Sequence, residues 1–376
     1  TSTGTCLGLL MEEARTNLFV NSENYTSYNG NSLFTITGNS AIAPNGQMAA
    51  SLLVNINTGS NYTQISNSYS TTNSGTYALS YYVKQAGTQT NISVLLGTNG
   101  YNSGAAGGLY YRAVYNFATN SFSSPQLVTS STVLNTIADF STASVPLANG
   151  WYRLSVVGNL TSTTSITSIN GGLYVGVYGN TIAALGTGVY TWGWQLEQGY
   201  FPTSYIPTGA STVTRALDLA NITGQNFQNW YNTTQGTLYV EADTISSQVD
   251  NTNTYRWATS ISQATGQKIG FYKIYTYSGL LPKMTDDQYN SRFEPLLGLI
   301  YTGTIFKAAL SYKSGTQFAS LNAVNTASGS GSYVPAPNVD NLRIGNGDSP
   351  WCGHIRRIVY YPEALSNTAT QALTIL

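Results

Sequence analysis

Glu241-Ala242-Asp243 is the stretch of this sequence whose residue types come nearest to a catalytic pair. In an alternating strand both carboxylates fall on one face, as a retaining glycosidase needs for its nucleophile and helper. A glutamate to serve as acid/base does not follow just beyond the aspartate, where Ile245 and Ser246 stand. The proton donor is missing, so a surface strand with two solvated carboxylates is the expectation. His354 is the single histidine, which leaves nothing from which to build Ser/His, Cys/His or multi-histidine zinc arrangements. Cys6 and Cys352 lie near opposite ends, give no metal spacing and no redox motif, and read as two small thiols whose pairing stays open. Asp286 and Asp287 beside Asn290 could offer oxygen ligands to a structural Ca2+, with Asp139 and Asp348 no better supported. Adjacent aspartates are more often solvated turns, so neither a metal nor any other cofactor is expected. Gly97 to Gly108 follows no strand-to-helix phosphate pattern and reads as a loop. No catalytic residue emerges, and the chain is expected not to be an enzyme.

Sugar binding needs less machinery. Pyranose C–H faces stack on aromatic rings while nearby amides, carboxylates or guanidinium groups bond the hydroxyls. Strand parity points five candidates outward: Tyr82 and Trp151 in the first half, and Trp257, Tyr272 and Trp351 in the second. Core or interface packing is the commoner use of each such ring, and with 6 tryptophans and 29 tyrosines some aromatic patch is expected by composition alone. Trp192 and Trp194, two apart, read as one face of a strand packed at a domain junction.

The composition fits such surfaces. Of 376 residues only 8% are charged, against about 25% in ordinary soluble domains, and 15 basic residues balance 15 acidic ones. A formal charge of zero gives no electrostatic footprint for nucleic acid or an anionic bilayer. No run approaches the roughly 18 apolar residues of a membrane span, and no charged-then-apolar leader opens the sequence. Secretion through a signal peptide is therefore unsupported, and the start at Thr1 suggests a processed product or part of a longer polypeptide. A 41% hydrophobic content in repeated alternating runs argues for order over disorder.

The elements that must carry these residues are strands. Thr76 to Lys84 sets Tyr77, Leu79, Tyr81 and Val83 against Ala78, Ser80, Tyr82 and Lys84. Gly150 to Val157 does the same with Tyr152, Leu154 and Val156 against Trp151, Arg153 and Ser155, and Leu173 to Tyr178 and Val189 to Leu196 follow. Polar runs at Gly97 to Gly108 and Thr161 to Gly172 read as surface loops where contacts could sit. Alternation restarts at Gln235 to Asp243 with Leu238, Val240 and Ala242 inward, then Lys268 to Tyr277, Thr304 to Tyr312, Gln317 to Asn322, Asn341 to Gly345 and Gly353 to Tyr361. Ser366 is placed to cap a short helix over Asn367 to Leu373. The fold class expected is all-β: two tandem β-sandwich (jelly-roll) domains. The divisions are a lead-in at 1–20 with Glu12, Glu13 and Arg15 as a local ion-pair set, a first sandwich at 21–208, a linker at 209–235 and a second sandwich at 236–376.

Leu342, Ile344, Gly345, Gly353, Ile355, Tyr360, Leu365 and Ser366 resemble the closing segment of a concanavalin A-like (laminin-G-like) jelly roll. That resemblance implies a fold shared by lectins, glycanases and adhesion modules alike. The first domain is similar to the carbohydrate-binding-module-like sandwiches of bacteriophage virion proteins. The residues that carry this likeness are Gly8 to Leu18, Tyr81 to Lys84, Gly150 to Arg153, and Gln195-Leu196-Glu197 through Phe201 to Thr208. It implies a fibre, tail-associated or capsid-decorating protein at the virion surface, with other virion proteins and a host-surface glycan as partners. Repeated weak sites would favour a homo-oligomer. A purely structural decoration protein is the alternative, and a polysaccharide depolymerase acting through Glu241 a third reading.

Overall fold

The computed structural model describes residues 6–59, 63–98, 109–129, 133–134, 140–160, 166–177, 181–182, 184–245, 255–263, 268–274, 278–285, 290–332, 339–345 and 350–376. The chain is all-β and divides into two compact units. Among the described residues the strands named below pair antiparallel, and an isolated parallel bridge joins Trp257 to Pro350.

The first unit runs from Arg15 to Arg215. One of its sheets has the order Phe140–Pro146, Trp151–Asn159, Thr76–Ala86, Gly188–Gln198, Met48–Asn55, Phe34–Ile42. The other is built around Leu109–Asn116, Asn91–Thr98, Ser168–Val177 and Gln64–Ser70. Tyr77, Leu79, Tyr81 and Val83 fill the space between the sheets with Leu154, Val156, Leu173 and Trp194, so the parity expected for these strands holds. Ser168 to Gly172, expected as loop, is instead strand. Its small residues are what the position demands, because a Cβ on Gly171 would come within 2.8 Å of Leu79 and 2.9 Å of Phe19. The rest of that run, 161–165, lies outside the described residues, as do 99–108.

The second unit comprises Ala216–Leu376 together with the segment ending at Ala14. Its sheets are Leu9–Met11, Gly353–Tyr361, Gln235–Ala242, Phe306–Lys313, Thr316–Leu321, Asn325–Gly329 and Ala220–Thr223, Asn341–Ile344, Tyr255–Ser262, Lys268–Ile274, Gly279–Thr285, Ser291–Phe293. Leu238, Val240 and Ala242 face Ala258, Phe271 and Leu342 in the core, as alternation requires. The terminal helix spans Asn367–Leu373, and Ser366 caps it by accepting from the Ala369 N–H at 3.2 Å.

The lead-in and linker segments are not separate from the units. Leu9–Met11 is a sheet strand of the second unit with Met11 in its core, whereas Arg15–Asn17 pairs with Val213–Arg215 in the first. Glu12, Glu13 and Arg15 accordingly serve different units. The Glu12 N–H donates to Asp218, Glu13 pairs with buried Arg256, and Arg15 donates to the Gln198 carbonyl. Residues 209–235 hold strands Val213–Arg215 and Ala220–Thr223 and the turn of helix Gln225–Gln228. Their partners lie almost 200 residues away for the first strand, a pairing that local sequence does not announce.

Candidate functional site

The outer face of the Thr76–Ala86 sheet carries an aromatic platform. Register places Arg153, Tyr82 and Trp192 in one row across three strands, with Trp151, Lys84 and Tyr190 in the next. Tyr82 and Trp192 have ring centroids 5.1 Å apart, and Tyr205 meets Trp192 edge-on at 4.5 Å and Tyr82 at 6.3 Å. The Arg153 guanidinium lies 5.4 Å from the Tyr82 centroid, a cation–π distance. Trp192 forms the buried floor, while Tyr82, Tyr190 and Tyr205 are half-buried and keep part of each ring in solvent.

Tyr205 reaches this face because a strap, Phe201 to Pro207, is clamped across it. Gln195 and Glu197 point outward from the Gly188–Gln198 strand and are completely buried beneath the strap. Glu197 accepts from the Thr203 N–H at 2.9 Å, the Thr203 hydroxyl at 2.5 Å and the Gln195 amide at 2.8 Å. Gln195 also accepts from the Ile206 N–H at 2.6 Å and donates to the Thr203 carbonyl at 3.2 Å. Arg153 donates to the same carbonyl at 2.5 Å. Burial pushes the Glu197 carboxyl above its ordinary range, which the hydrogen bonds from Thr203 and Gln195 and the nearby Arg15 charge only partly offset. On the other side of the strap, buried Asn17 uses its whole amide. It donates to Trp194 and Ile206 carbonyls at 3.1 and 2.8 Å and accepts from the Phe19 and Leu196 N–H groups at 3.1 Å. The Gln195-Leu196-Glu197 and Phe201-to-Thr208 stretches are thus two halves of one hydrogen-bonded clamp inside the first unit. At the end of the strap, Tyr205 donates to Glu23 at 3.0 Å and meets the Ser22 hydroxyl at 2.6 Å.

Of the five aromatics expected to face a sugar, the structure keeps only Tyr82 accessible. Trp151 is 2% exposed and donates its indole N–H to the Ile42 carbonyl at 3.0 Å. Trp351, 1% exposed, lies in the second core and donates to the Asp243 carbonyl at 2.7 Å. Trp257 and Tyr272 are 3% and 6% exposed. Parity assigned the outer face correctly for Trp151, Trp257 and Tyr272, but an outer face is exposed only where no strap or neighbouring side chain covers it. Trp192 and Trp194 are separated rather than sharing a face. A bulge follows Trp192, Gly193 takes a positive φ of 63°, and Trp194 turns into the main core, stacked on Tyr81 at 4.8 Å. Trp192, Tyr190 and Tyr205 are the platform residues that parity alone missed.

The carboxylate pair is arranged for structure. A bulge between Glu241 and Ala242 leaves Glu241 opposite Arg357, where it accepts from the Tyr239 hydroxyl at 3.2 Å. Asp243 is buried and accepts from the His354 N–H and ring Nδ1 at 3.0 Å and from Arg356 at 3.4 Å. Ile245 continues the ladder by donating to the Cys352 carbonyl at 3.0 Å, and Ser246 lies outside the described residues. Cys6 and Cys352 are not joined in a disulfide, the first being exposed and the second buried against Arg256. Asp139, Asp286, Asp287 and Asp348 lie outside the described residues, among which no group of three or more His, Cys, Asp or Glu side chains could hold a metal. No helix of the described residues is long and apolar enough to cross a membrane.

The second unit has an aromatic pair of its own. Trp257 and Tyr272 are cross-strand partners with centroids 5.1 Å apart, and Tyr255 meets Tyr272 edge-on at 5.8 Å. Lys268 lies over Trp257 at 5.1 Å and Lys283 over Tyr272 at 5.7 Å. Glu294 ties this cover down, accepting from Lys283 at 2.8 Å, from Ser291 at 2.5 Å and from the Tyr272 hydroxyl. Burial pushes the Glu294 carboxyl up, but these hydrogen bonds and the Lys283 charge outweigh it and hold the group below its ordinary value.

No protein-family description and no curated protein matches the chain. Among solved structures it is similar to the CBM40 of the Ruminococcus gnavus IT-sialidase, with 16% identity, a TM-score of 0.32, and coverage of 38% of this chain and 84% of that one. It is similar to domains LG4-5 of the mouse laminin alpha1 chain, with 8% identity, a TM-score of 0.30, and coverage of 96% of this chain and 94% of that one. Chicken galectin 2 aligns with 35% of this chain over 92% of its own length, at 12% identity and a TM-score of 0.25.

Proposed function

We propose that this chain is a non-enzymatic glycan-binding protein that serves attachment at the surface of a bacteriophage particle. The observation that supports it is the platform of Tyr82, Tyr190 and Tyr205 over a Trp192 floor, bordered by Arg153 and Lys84. Half-buried rings packed against one another suit pyranose stacking, because little side-chain entropy is lost when the sugar arrives. Bordering cations and hydroxyls supply hydrogen bonds to sugar oxygens. One platform per chain binds weakly, so presentation as a homo-oligomer alongside other virion proteins raises avidity.

A glycan array combined with a pull-down on host cell walls tests this reading. Wild-type chain is expected to bind at least one host polysaccharide, and Tyr82→Ala to lose about tenfold in affinity, equivalent to about 1.4 kcal/mol. Absence of binding to any host polysaccharide or cell, or unchanged binding by Tyr82→Ala and Tyr190→Ala alike, would remove the proposal.

A further inference from the structure

Among the described residues, the second unit has an open strand edge beside an apolar cleft. Gly353–Tyr361 is nine residues long. On one side Gln235–Ala242 pairs with it from Ile355 to Tyr361, and on the other Leu9–Met11 pairs only with Gly353, His354 and Ile355. From Arg356 onward no described strand lies on that second side. The Leu9–Met11 strand ends at Gly8, where φ is +100° and a Cβ would come within 2.4 Å of the Ile355 carbonyl oxygen. The far end is closed by Trp230 and Asn232: the Trp230 ring is 5.1 Å from Tyr360, whose hydroxyl takes the Asn232 N–H at 3.2 Å. Between these ends lies a cleft of about 430 Å3, walled by Leu9, Ile222, Trp230, Ile344, Ile358 and Tyr360 with Arg356 and Arg357 contributing its polar groups.

We propose that this cleft takes an extended peptide strand of a partner polypeptide, apolar at alternate positions and acidic at the position beside Arg357. The slot continues the line of the Leu9–Met11 strand, so an occupant prolongs a ladder that already exists at Gly353–Ile355. Antiparallel geometry directs the N–H and C=O of alternate residues in Arg356–Tyr361 away from Gln235–Ala242 and toward the slot. An acyl chain filling the cleft would cover those backbone groups without bonding them, at about 1–3 kcal/mol for each group left unpaired. A peptide backbone bonds them, and its alternate side chains meet Ile222, Trp230 and Ile358. Charge selects the sign of the partner: Arg356 is held by Asp243, while Arg357, opposite Glu241 on the neighbouring strand, is exposed at the rim where an acidic side chain can join that pair.

The test uses the full chain and a synthetic blocked peptide of alternating valine and glutamate, six residues long, read by hydrogen exchange. The amides of Arg356–Tyr361 that do not bond Gln235–Ala242 should slow about tenfold on adding the peptide. The same peptide N-methylated at alternate residues should have no effect, and Ile222→Glu should weaken binding about tenfold while exchange elsewhere in the unit stays unchanged. Arg357→Glu should shift preference to a valine–lysine peptide. Equal slowing by the N-methylated peptide or by decanoate would overturn the proposal, as would slowing without peptide that grows with protein concentration, which would make the occupant a second copy.

Discussion

Each unit sets a tryptophan and a tyrosine directly opposite one another on the outer face of a sheet, beside a bulge, with ring centroids 5.1 Å apart and a cation over the tyrosine. The two pairs nevertheless have different fates. In the first unit Arg153 lies over Tyr82 and donates to the strap carbonyl of Thr203 and the Ser80 hydroxyl, and Tyr82 stays half-buried rather than covered. In the second, Lys283 is fixed above Tyr272 by Glu294, Lys268 covers Trp257, and both rings are shut in. An outward aromatic pair is therefore a surface only where neighbouring side chains leave a ring uncovered.

The largest expected effect breaks the first half of that comparison. Glu197→Ala removes three hydrogen bonds from a buried carboxylate and leaves the Thr203 N–H and hydroxyl unpaired, so the first unit should lose about 3 kcal/mol or more. Thermal unfolding measures it, and a loss below about 1 kcal/mol would show that the strap is held by packing instead. Tyr272→Ala should cost the second unit about 3 kcal/mol through the cavity left under Lys283, with glycan binding unaltered. Tyr82→Ala should do the converse, lowering stability by less than about 1.5 kcal/mol while binding falls. Urea titrations of both variants beside glycan binding assays sharpen the contrast, and equal binding losses would abolish it.

The smallest effect concerns acid. The Glu294 carboxyl sits below its ordinary value of 4.5 in the folded chain, so its stabilising contribution is complete above pH 4.5 and is lost as pH falls through the lower folded value. Only below pH 4.5 should Lys283 be released and Trp257 become open to a fluorescence quencher. The Glu197 carboxyl moves the other way. Its folded value is raised, so it favours folding in acid and loses that contribution as pH rises through the folded value, and the strap should not loosen in the same acid window. Glu294→Gln should abolish the acid response of the second unit and leave the first unchanged.

Much of the framework was legible in order of residues. The inward sets of Thr76–Ala86, Gln235–Ala242 and Phe306–Lys313 follow from a period of two, and the helix at Asn367–Leu373 from the Ser366 cap. The platform was legible only at Tyr82. Trp192 was hidden by a bulge that reverses parity between it and Trp194, and Tyr205 by its place on a strap rather than a strand. Trp151, Trp257 and Tyr272 were assigned to outer faces correctly but are covered there, a property of other segments and not of their own strands. Gln195, Glu197 and Phe201 to Pro207 stood out as a distinctive stretch, yet nothing local indicated that the carboxylate reads the strap's backbone.

Local sequence by itself determined that this chain is all-β, which faces its regular strands bury, and that its surface is nearly uncharged, because each depends on composition or on neighbours two residues apart. Tertiary structure decided the rest. It placed Met11 in a core with residues more than 200 positions away, sent Glu13 and Arg15 to different units, and chose which aromatic pair stays open. Those outcomes depend on long-range pairing and on buried carboxylates finding donors, and neither leaves a periodic signature in the chain.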